Sequence, residues 1–327
     1  ARQFAERAAR LNPRLGWPLD AQFELQCKAG DWAAALETLS AAKRHGHLDK
    51  ATADRRRAVL LAAQAMALEE TDADKALATA SEAHGLAPDL IPAAAVAGRI
   101  LASRGQTARA AKIIHKTWAR APHPDLAAAY AYARIGDSPS DRFDRIRQLA
   151  RIKPFDVESG LAVAAAAIEA RQYDAARHAL QPFLKDELTR RVARMMARLE
   201  AEEHGDTGRA REWLGRAATA KRDRAWTADG LLLDTWAPVS PLTGALDSVV
   251  WSDPVSSADE ERPAAGGDAE PWLATIDGEG AEAHVKPMDG GIVPAAPLAA
   301  PVAPDDPGAD GDGLEPEIRT TRTPPAA

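Results

Sequence analysis

An all-α solenoid of stacked helix pairs is the fold this sequence predicts, and three observations predict it. A small residue followed four positions later by a bulky apolar one recurs at a 34-residue step. The segments between the two helices of a pair carry glycine with a small polar partner. Aromatic residues make up 5% of the chain while alanine abounds, a composition that suits close-packed helices better than strands, which favour aromatic and β-branched side chains.

The step is read on second helices. Ala76, Ala80 and Pro88 recur as Ala110, Ile114 and Pro122, each shifted by 34. Arg142, Ile146 and Pro154 come two residues short, with arginine replacing the small residue, which predicts a looser unit. Ala176 with Leu180 and Ala210 with Leu214 resume the step. Backward, Ala35 and Leu39 precede Ala76 and Ala80 by 41 residues, seven over period. The surplus is assigned to the polar stretch His45-Gly46-His47-Leu48-Asp49-Lys50. Ala1, Ala5, Ala8 and Pro13 continue the pattern upstream. Alanine at a helix crossing lets two backbones approach while the larger side chain fills the gap behind. This period is that of tetratricopeptide (TPR) repeats. It predicts a right-handed TPR-like α-solenoid over 1–220, about six helix pairs, free of strands. Second helices should open near Ala1, Trp32, Asp74, Thr107, Asp141, Tyr173 and Thr207. Since Ala1 falls where a second helix starts, the first pair is expected to be truncated and covered by chain upstream.

The turns fix the phase. Gly30-Asp31-Trp32, Gly105-Gln106-Thr107, Gly136-Asp137 and Gly205-Asp206-Thr207 supply C-cap and N-cap residues, and Arg171-Gln172-Tyr173-Asp174 fills the same slot without glycine. First helices show the small and apolar positions at Ala94, Ala97, Gly98 and Leu101, and at Gly160, Val163, Ala164 and Ala167. Around Arg57 and Arg191 the phase drifts, so the candidate groove residues are Arg99 and Glu158.

Charge divides the chain. Residues 252–327 hold 16 acidic and 4 basic side chains, 12 prolines and 9 glycines, too little apolar surface to offset the entropy of ordering. Residues 255–327 are therefore read as a disordered acidic tail. The whole chain carries −7, which leaves +5 for the rest. Between lies 221–254, with Trp226, Trp236 and Trp251 in 26 residues. It reads as a cap whose aromatics cover the open face of the last helix pair, shielding Leu199, Ala210 and Leu214, or else as a partner surface made by Trp226, Trp236, Pro238 and Trp251. Pro238-x-Ser240-Pro241-x-Thr243-Gly244 has the outline of a zinc-ribbon knuckle with hydroxyls in place of thiolates. Hydroxyls are poor zinc ligands, so no metal is expected.

Ala225-Trp226-Thr227-Ala228-Asp229-Gly230 with Trp236-x-Pro238-Val239-Ser240-Pro241-x-Thr243-Gly244-x-Leu246-Asp247, after such repeats, resembles the C-terminal half of the alphaproteobacterial HemY-type haem-biosynthesis proteins. Phe23-Glu24-Leu25-Gln26 leading into Gly30-Asp31-Trp32 and Ala35-Leu36 resembles the same family, and the likeness covers residues 1–254. The resemblance implies a bacterial inner-membrane protein whose two membrane helices precede the repeats, which would be cytoplasmic. It also implies a non-catalytic role in late protohaem synthesis, with haem-pathway enzymes as partners and membrane attachment through the N-terminal segment missing here. The flavin-dependent oxidase that shares the name is excluded, because no glycine-rich dinucleotide fingerprint follows a strand.

Composition and motifs narrow the classes further. HExxH, GxSxG, GxxxxGK[ST] and CxxCH are all absent, so no catalytic residue, cofactor or haem contact is predicted. Cys27 is the one cysteine, which rules out an internal disulfide and points to a reducing compartment. The longest apolar run, Leu161 to Ile168, has eight residues, far short of a membrane span, so the segment given is expected to be soluble. Its charged start is not that of a secretory signal. His45 and His47 read as a solvated loop, and His115 and His178 as helix surface. Arg55-Arg56-Arg57 and Arg190-Arg191-x-x-Arg194 read as solvated faces that could meet acidic lipid or protein. Nucleic acid is disfavoured, since interleaved aromatics and strong basicity are missing. A scaffold for haem-pathway enzymes leads. The alternative is a TPR adaptor of another envelope pathway, of the lipopolysaccharide-assembly type with a vestigial metal-free ribbon, and a hidden enzyme comes third.

Overall fold

The residues at the second-helix crossings set the architecture. The computed structural model describes Phe4, Arg7 and residues 15–185, 188–205 and 207–254. The rest of the helix expected at Ala1 and the acidic tail expected from 255 lie outside the described residues. Among the described residues the chain forms a TPR-like α-solenoid of six helix pairs. These are α1 (Gly16–Lys28) with α2 (Trp32–Arg44), α3 (Lys50–Leu68) with α4 (Ala73–Leu86), and α5 (Ile91–Ser103) with α6 (Thr107–Trp118). Then follow α7 (Pro124–Ala131) with α8 (Pro139–Ala150), α9 (Val157–Glu169) with α10 (Tyr173–Leu180), and α11 (Arg190–His204) with α12 (Thr207–Thr219). Each second helix after Ala1 opens within two residues of its expected start. Ala35, Ala76, Ala110 and Ala176 are buried at the crossings with Leu39, Ala80, Ile114 and Leu180 behind them. A Cβ on Gly98 would stand 2.9 Å from Ile114 Cδ1, so α5 and α6 approach closely there because the side chain is missing.

Polar residues start the helices. Asp31, Asp49, Asp72 and Thr189 each accept a backbone N–H three residues on, and Ser138 with Asp141 forms a full capping box, which satisfies donors that the first turn leaves open. Gly30, Gly105, Gly136 and Gly205 all take positive φ, between 62° and 86°. Arg171 holds the same left-handed conformation, φ 55°, without glycine's freedom.

Several expectations need correcting. The seven surplus residues sit mostly in α3, which has 19 residues against 13 in α5, and not in the His45–Lys50 loop. Leu214 is 51% exposed, so the last unit keeps the spacing but not the burial. His178 is exposed as expected, whereas the half-buried His115 ring packs edge-on against Tyr130 at 4.9 Å. Four arginines of these runs are engaged within the protein. Arg55 binds Asp247 and Asp89, Arg57 binds Glu82, Arg56 lies over the Phe23 ring, and Arg191 binds Glu158.

The largest correction concerns 221–254, which does not cover the end of the last pair. It runs as a strap past the amino ends of α11, α9 and α7 to α3 and the carboxyl half of α1, and returns to α7 through Trp251. Both oxygens of the Asp223 carboxylate accept the Arg191 N–H at the start of α11, at 3.1 and 2.9 Å. Arg224 reaches Asp156, the N-cap of α9. Trp226 and Trp251 flank His123, the N-cap of α7, with ring centroids 5.0 and 4.2 Å away. Asp247 takes two hydrogen bonds from Arg55 in α3, at 2.6 and 2.9 Å. Val239 and Leu246 pack on the Phe23–Cys27–Leu39–Leu60 cluster around α1. Strap and repeats share one apolar core that includes Trp226, Trp236 and Val249.

Within the strap a small antiparallel sheet, β1 (Ala225–Ala228), β2 (Leu231–Leu233) and β3 (Val250–Ser252), has the order β2-β1-β3. Asp229 and Gly230, φ 50° and 77°, form the two-residue turn that matches strand twist. The register pairs Trp226 with Leu233 on one side and Trp251 on the other. The zinc-like knuckle is held by a carboxylate, since Ser240 Oγ and Thr243 Oγ1 both donate to Asp229 Oδ2, at 2.5 and 2.8 Å.

Arg171→Gly should stabilise the protein by about 0.5–1 kcal/mol, because a left-handed L-residue costs about 1–2 kcal/mol and the more flexible unfolded glycine returns part of that gain; urea unfolding checks it. Trp236→Ala should cost about 3–5 kcal/mol, and hydrogen exchange should quicken around Ile91–Ala95 rather than around Leu199. A third expectation concerns acid. Burial holds the His84 and His123 imidazoles down to about 4 from 6.5. Between those values the unfolded chain binds more protons, so stability falls with pH from 6.5 toward 4, by up to about 1.4 kcal/mol per unit per histidine. His123→Asn keeps an N-cap acceptor and removes one titration, so its melting temperature should fall less steeply across that window.

Candidate functional site

First helices α3, α5, α7, α9 and α11 stand beside one another, so their outward sides form one continuous face. Two cavities open on it, and the repeat's departures from regularity explain the first. The first helix α7 has only 8 residues against 13 in α5 and α9. Its partner α8 carries Arg142 where other units have alanine. A shortened helix and a side chain too long for the crossing leave about 230 Å³ between α7, α9 and α11. Ala128, Ala131, Ala162 and Ala165 line it.

Polar groups mark its two ends. Near the end of α7, the Arg142 guanidinium lies 5.2 Å from the Tyr132 ring centroid, donates to the Asp137 carbonyl at 2.9 Å and stands 3.7 Å from Glu169. Toward the start of α9, Glu158 is 2% exposed. It takes two bonds from Arg191, 2.6 and 3.0 Å long. Burial raises the Glu158 carboxyl's pKa and Arg191 opposes that rise. The pair joins α9 to α11, which fixes the wall of the cavity.

The second cavity, about 240 Å³, lies between the strap and α5–α7. Trp226, Trp236, Trp251 and His123 line it from the strap side and the α7 cap, and Ile91, Ala95 and Val96 from α5. Arg99 lines it as well, held by Glu69 through two bonds of 2.7 Å. Asp125 and Asp234 add negative charge to its lining. Both groove residues read from the sequence thus reach the first-helix face, in separate cavities that share Pro124.

The four residues offered as cap or partner surface are placed differently. Trp226 and Trp236 are buried, and Trp251 and Pro238 half-buried. The Pro238 carbonyl accepts the Asp247 N–H at 2.9 Å. Three contributors were missed: His123, Arg142 as a cavity former, and Tyr132. A signal existed for His123, because Arg55, Asp89 and His123 follow at 34-residue steps, with Asp156 33 further on. Asp89, His123 and Asp156 stand at or beside the start of a first helix, and Arg55 lies in the second turn of α3.

Among the described residues no group of three or more His, Cys, Asp or Glu could hold a metal ion. His45 is exposed, and His47 is half-buried beside Gly16. Burial pushes the Cys27 thiol up to about 11, so it stays protonated at neutral pH. No described helix is long and apolar enough to cross a membrane.

No family model matches the chain. Among curated proteins it is similar to one described as "Probable magnetosome protein Mms48" from Magnetospirillum gryphiswaldense, 27% identical over 246 residues. That match covers 74% of this chain and 55% of the relative, so the chain spans about half the relative's length. Among solved structures, a tetratricopeptide repeat protein from Parabacteroides merdae matches at 17% identity and a TM-score of 0.36, over 67% of this chain and 85% of that one. The solenoid fold rests on the chain's own spacing and helix pairing.

Proposed function

We propose that this chain is a non-catalytic protein-interaction scaffold that holds an extended partner segment along the first-helix face. The observation that carries the reading is the alanine-lined cavity between α7, α9 and α11, about 230 Å³ in volume, with Arg142 and Glu169 at one end. An apolar side chain of the partner would sit on the alanines, while both signs of charge at the mouth would orient its polar flanks. Stacked repeats suit this use because they present one long face without needing a catalytic cleft.

The pathway is a finer proposal. The likeness of residues 225–247 to HemY-type proteins supports late protohaem synthesis at the bacterial inner membrane, with haem-pathway enzymes as partners. The relative's name points instead to the magnetosome. A lipopolysaccharide-assembly adaptor is the alternative, weakened by a knuckle that Asp229 holds with hydroxyls rather than thiolates.

Crosslinking and mass spectrometry with the full chain as bait in a membrane extract would test both levels, comparing the native protein with Ala165→Arg. Ala165 is half-buried in the cavity wall, so the variant should keep its melting temperature and lose capture at least tenfold. Recovery of terminal haem-pathway enzymes supports the finer reading, and recovery of magnetosome or lipopolysaccharide proteins replaces it. Capture unaffected by Ala165→Arg overturns the proposed face.

A further inference from the structure

The outward side of α6 carries charge of a single sign. Between Asp89 and Asp125 the chain has six basic residues and no acidic one. Two of the six are paired within the protein, Arg99 with Glu69 and Arg104 with Asp74. The other four, Arg109, Lys112, Lys116 and Arg120, are exposed and pair with no carboxylate among the described residues. Spaced by three, four and four residues along α6 and just past its end, they fall on one side of the helix. Ala110, Ile114 and Trp118 are buried on the other. Each of the other described second helices carries an acid, among them Glu37 in α2, Asp74 in α4, Asp141 in α8, Asp174 in α10 and Glu212 in α12.

Folding does not account for this stripe. Arg109 stands in the first turn of α6, where a cation opposes the helix dipole. Arg109 with Lys112, Lys112 with Lys116 and Lys116 with Arg120 are like charges at neighbouring helix positions, and each such pair destabilises the helix. Hydrogen bonds hold two of the four without neutralising them: Arg109 donates to Gln106 Oε1 at 2.6 Å and Arg120 to the Lys116 carbonyl at 2.8 Å. The uncompensated charge is felt inside the protein, since Lys116 and Arg120 add to the burial that keeps His84 neutral. An anion laid along the stripe relieves this repulsion.

The surroundings decide which anion. None of the four residues lines either cavity of the first-helix face, so the stripe offers no pocket for a peptide side chain. An apolar group stands near its end: Lys153 Nζ donates to the Arg120 carbonyl at 3.4 Å, and Phe155, two residues along the same loop, is 90% exposed. Cations near an exposed aromatic suit an anionic bilayer, whose headgroups meet the charges while the ring enters the interface. Single-stranded nucleic acid calls for aromatics among the cations, and the one aromatic ring between Arg109 and Arg120 apart from His115 is the buried Trp118. We propose that the outward side of α6, with Arg109, Lys112, Lys116 and Arg120, docks on an anionic phospholipid bilayer, with Phe155 as its apolar anchor. The stripe lies on a second helix, away from the cavity assigned to a partner segment, and does not depend on the scaffold reading.

The test sediments the full chain with vesicles of equimolar phosphatidylglycerol and phosphatidylcholine, and with vesicles of phosphatidylcholine alone, at low salt. The anionic vesicles should bind at least tenfold more protein, although the chain's net charge is −7, because each cation near such a surface contributes about fivefold. Salt should weaken that binding. Lys112→Glu with Lys116→Glu should lower it at least tenfold and keep the melting temperature, since both residues are exposed and each new carboxylate gains Arg109 or Arg120 as a helix neighbour. Arg211→Glu with Arg222→Glu makes the same change in net charge at exposed residues elsewhere and should leave binding within about twofold of the native level. Phe155→Ser should lower it at least threefold with an unchanged salt dependence. Equal binding to the two vesicle types, equal losses in the two double variants, or capture of poly-glutamate or duplex DNA in place of vesicles would each overturn the proposal.

Discussion

Five first helices, α3 to α11, stand side by side with their amino ends at one edge of this solenoid, and an edge of helix amino ends is a line of open N–H groups and positive dipole ends. Repeats stacked at a 34-residue step bring one residue per unit to that line, among them Arg55, Asp89, His123 and Asp156. The strap meets Arg55 with Asp247, His123 with Trp226 and Trp251, Asp156 with Arg224 and the start of α11 with Asp223. In an ordinary solenoid each repeat touches only its neighbours, so stability is close to a sum of local terms. Here Arg55 and Asp247 meet across 192 residues, and losing the strap removes contacts from α1 through α11 together. The molecule should accordingly unfold more cooperatively than a plain array.

The repeat geometry was legible in the sequence because it is written locally. Ala76 and Ala110 had to be small for the helices to cross, and the glycines of the turns had to take positive φ; both show as residue types at fixed offsets. Arg171 shows the limit of that code, since the backbone conformation persists after the glycine is gone. The failures share one physical origin. Where the strap lies depends on contacts far apart in sequence, which leave no period to read, so three tryptophans after the last repeat suggested its nearest open surface. Leu214 is left exposed for the same reason. Asp229-Gly230 is a local hairpin signal between Trp226 and Trp251, and a hairpin forms there.

The candidate site was partly legible. Arg99 and Glu158 both line cavities on the first-helix face. The cavity beside Glu158 could be anticipated only as looseness, from the short step and Arg142. Its existence depends on a second fact, that α7 stops after 8 residues, and no residue near Ala131 announces that end. His123 was invisible as a functional residue because its role is made by others. The Asp125 amide fixes its tautomer and two strap tryptophans enclose it.

Strap and repeat irregularity together explain why the face has two compartments. Alanine crossings give tight helix pairs, and each alanine contributes little apolar surface of its own. The chain concentrates large side chains in the strap and lays it over the amino ends of α5 and α7, which encloses the cavity lined by Trp226, Trp236 and Trp251. The outward side of α7, α9 and α11 is left open around Ala128, Ala162 and Ala165. Pro124, the first residue of α7, lines both cavities, and its neighbour His123 carries the ring contacts to the strap. The amino end of the shortest helix thus separates an aromatic compartment from an alanine-lined one. A substitution that shifts this helix start would alter both, whereas one at Ala165 or Trp251 would reach only its own side.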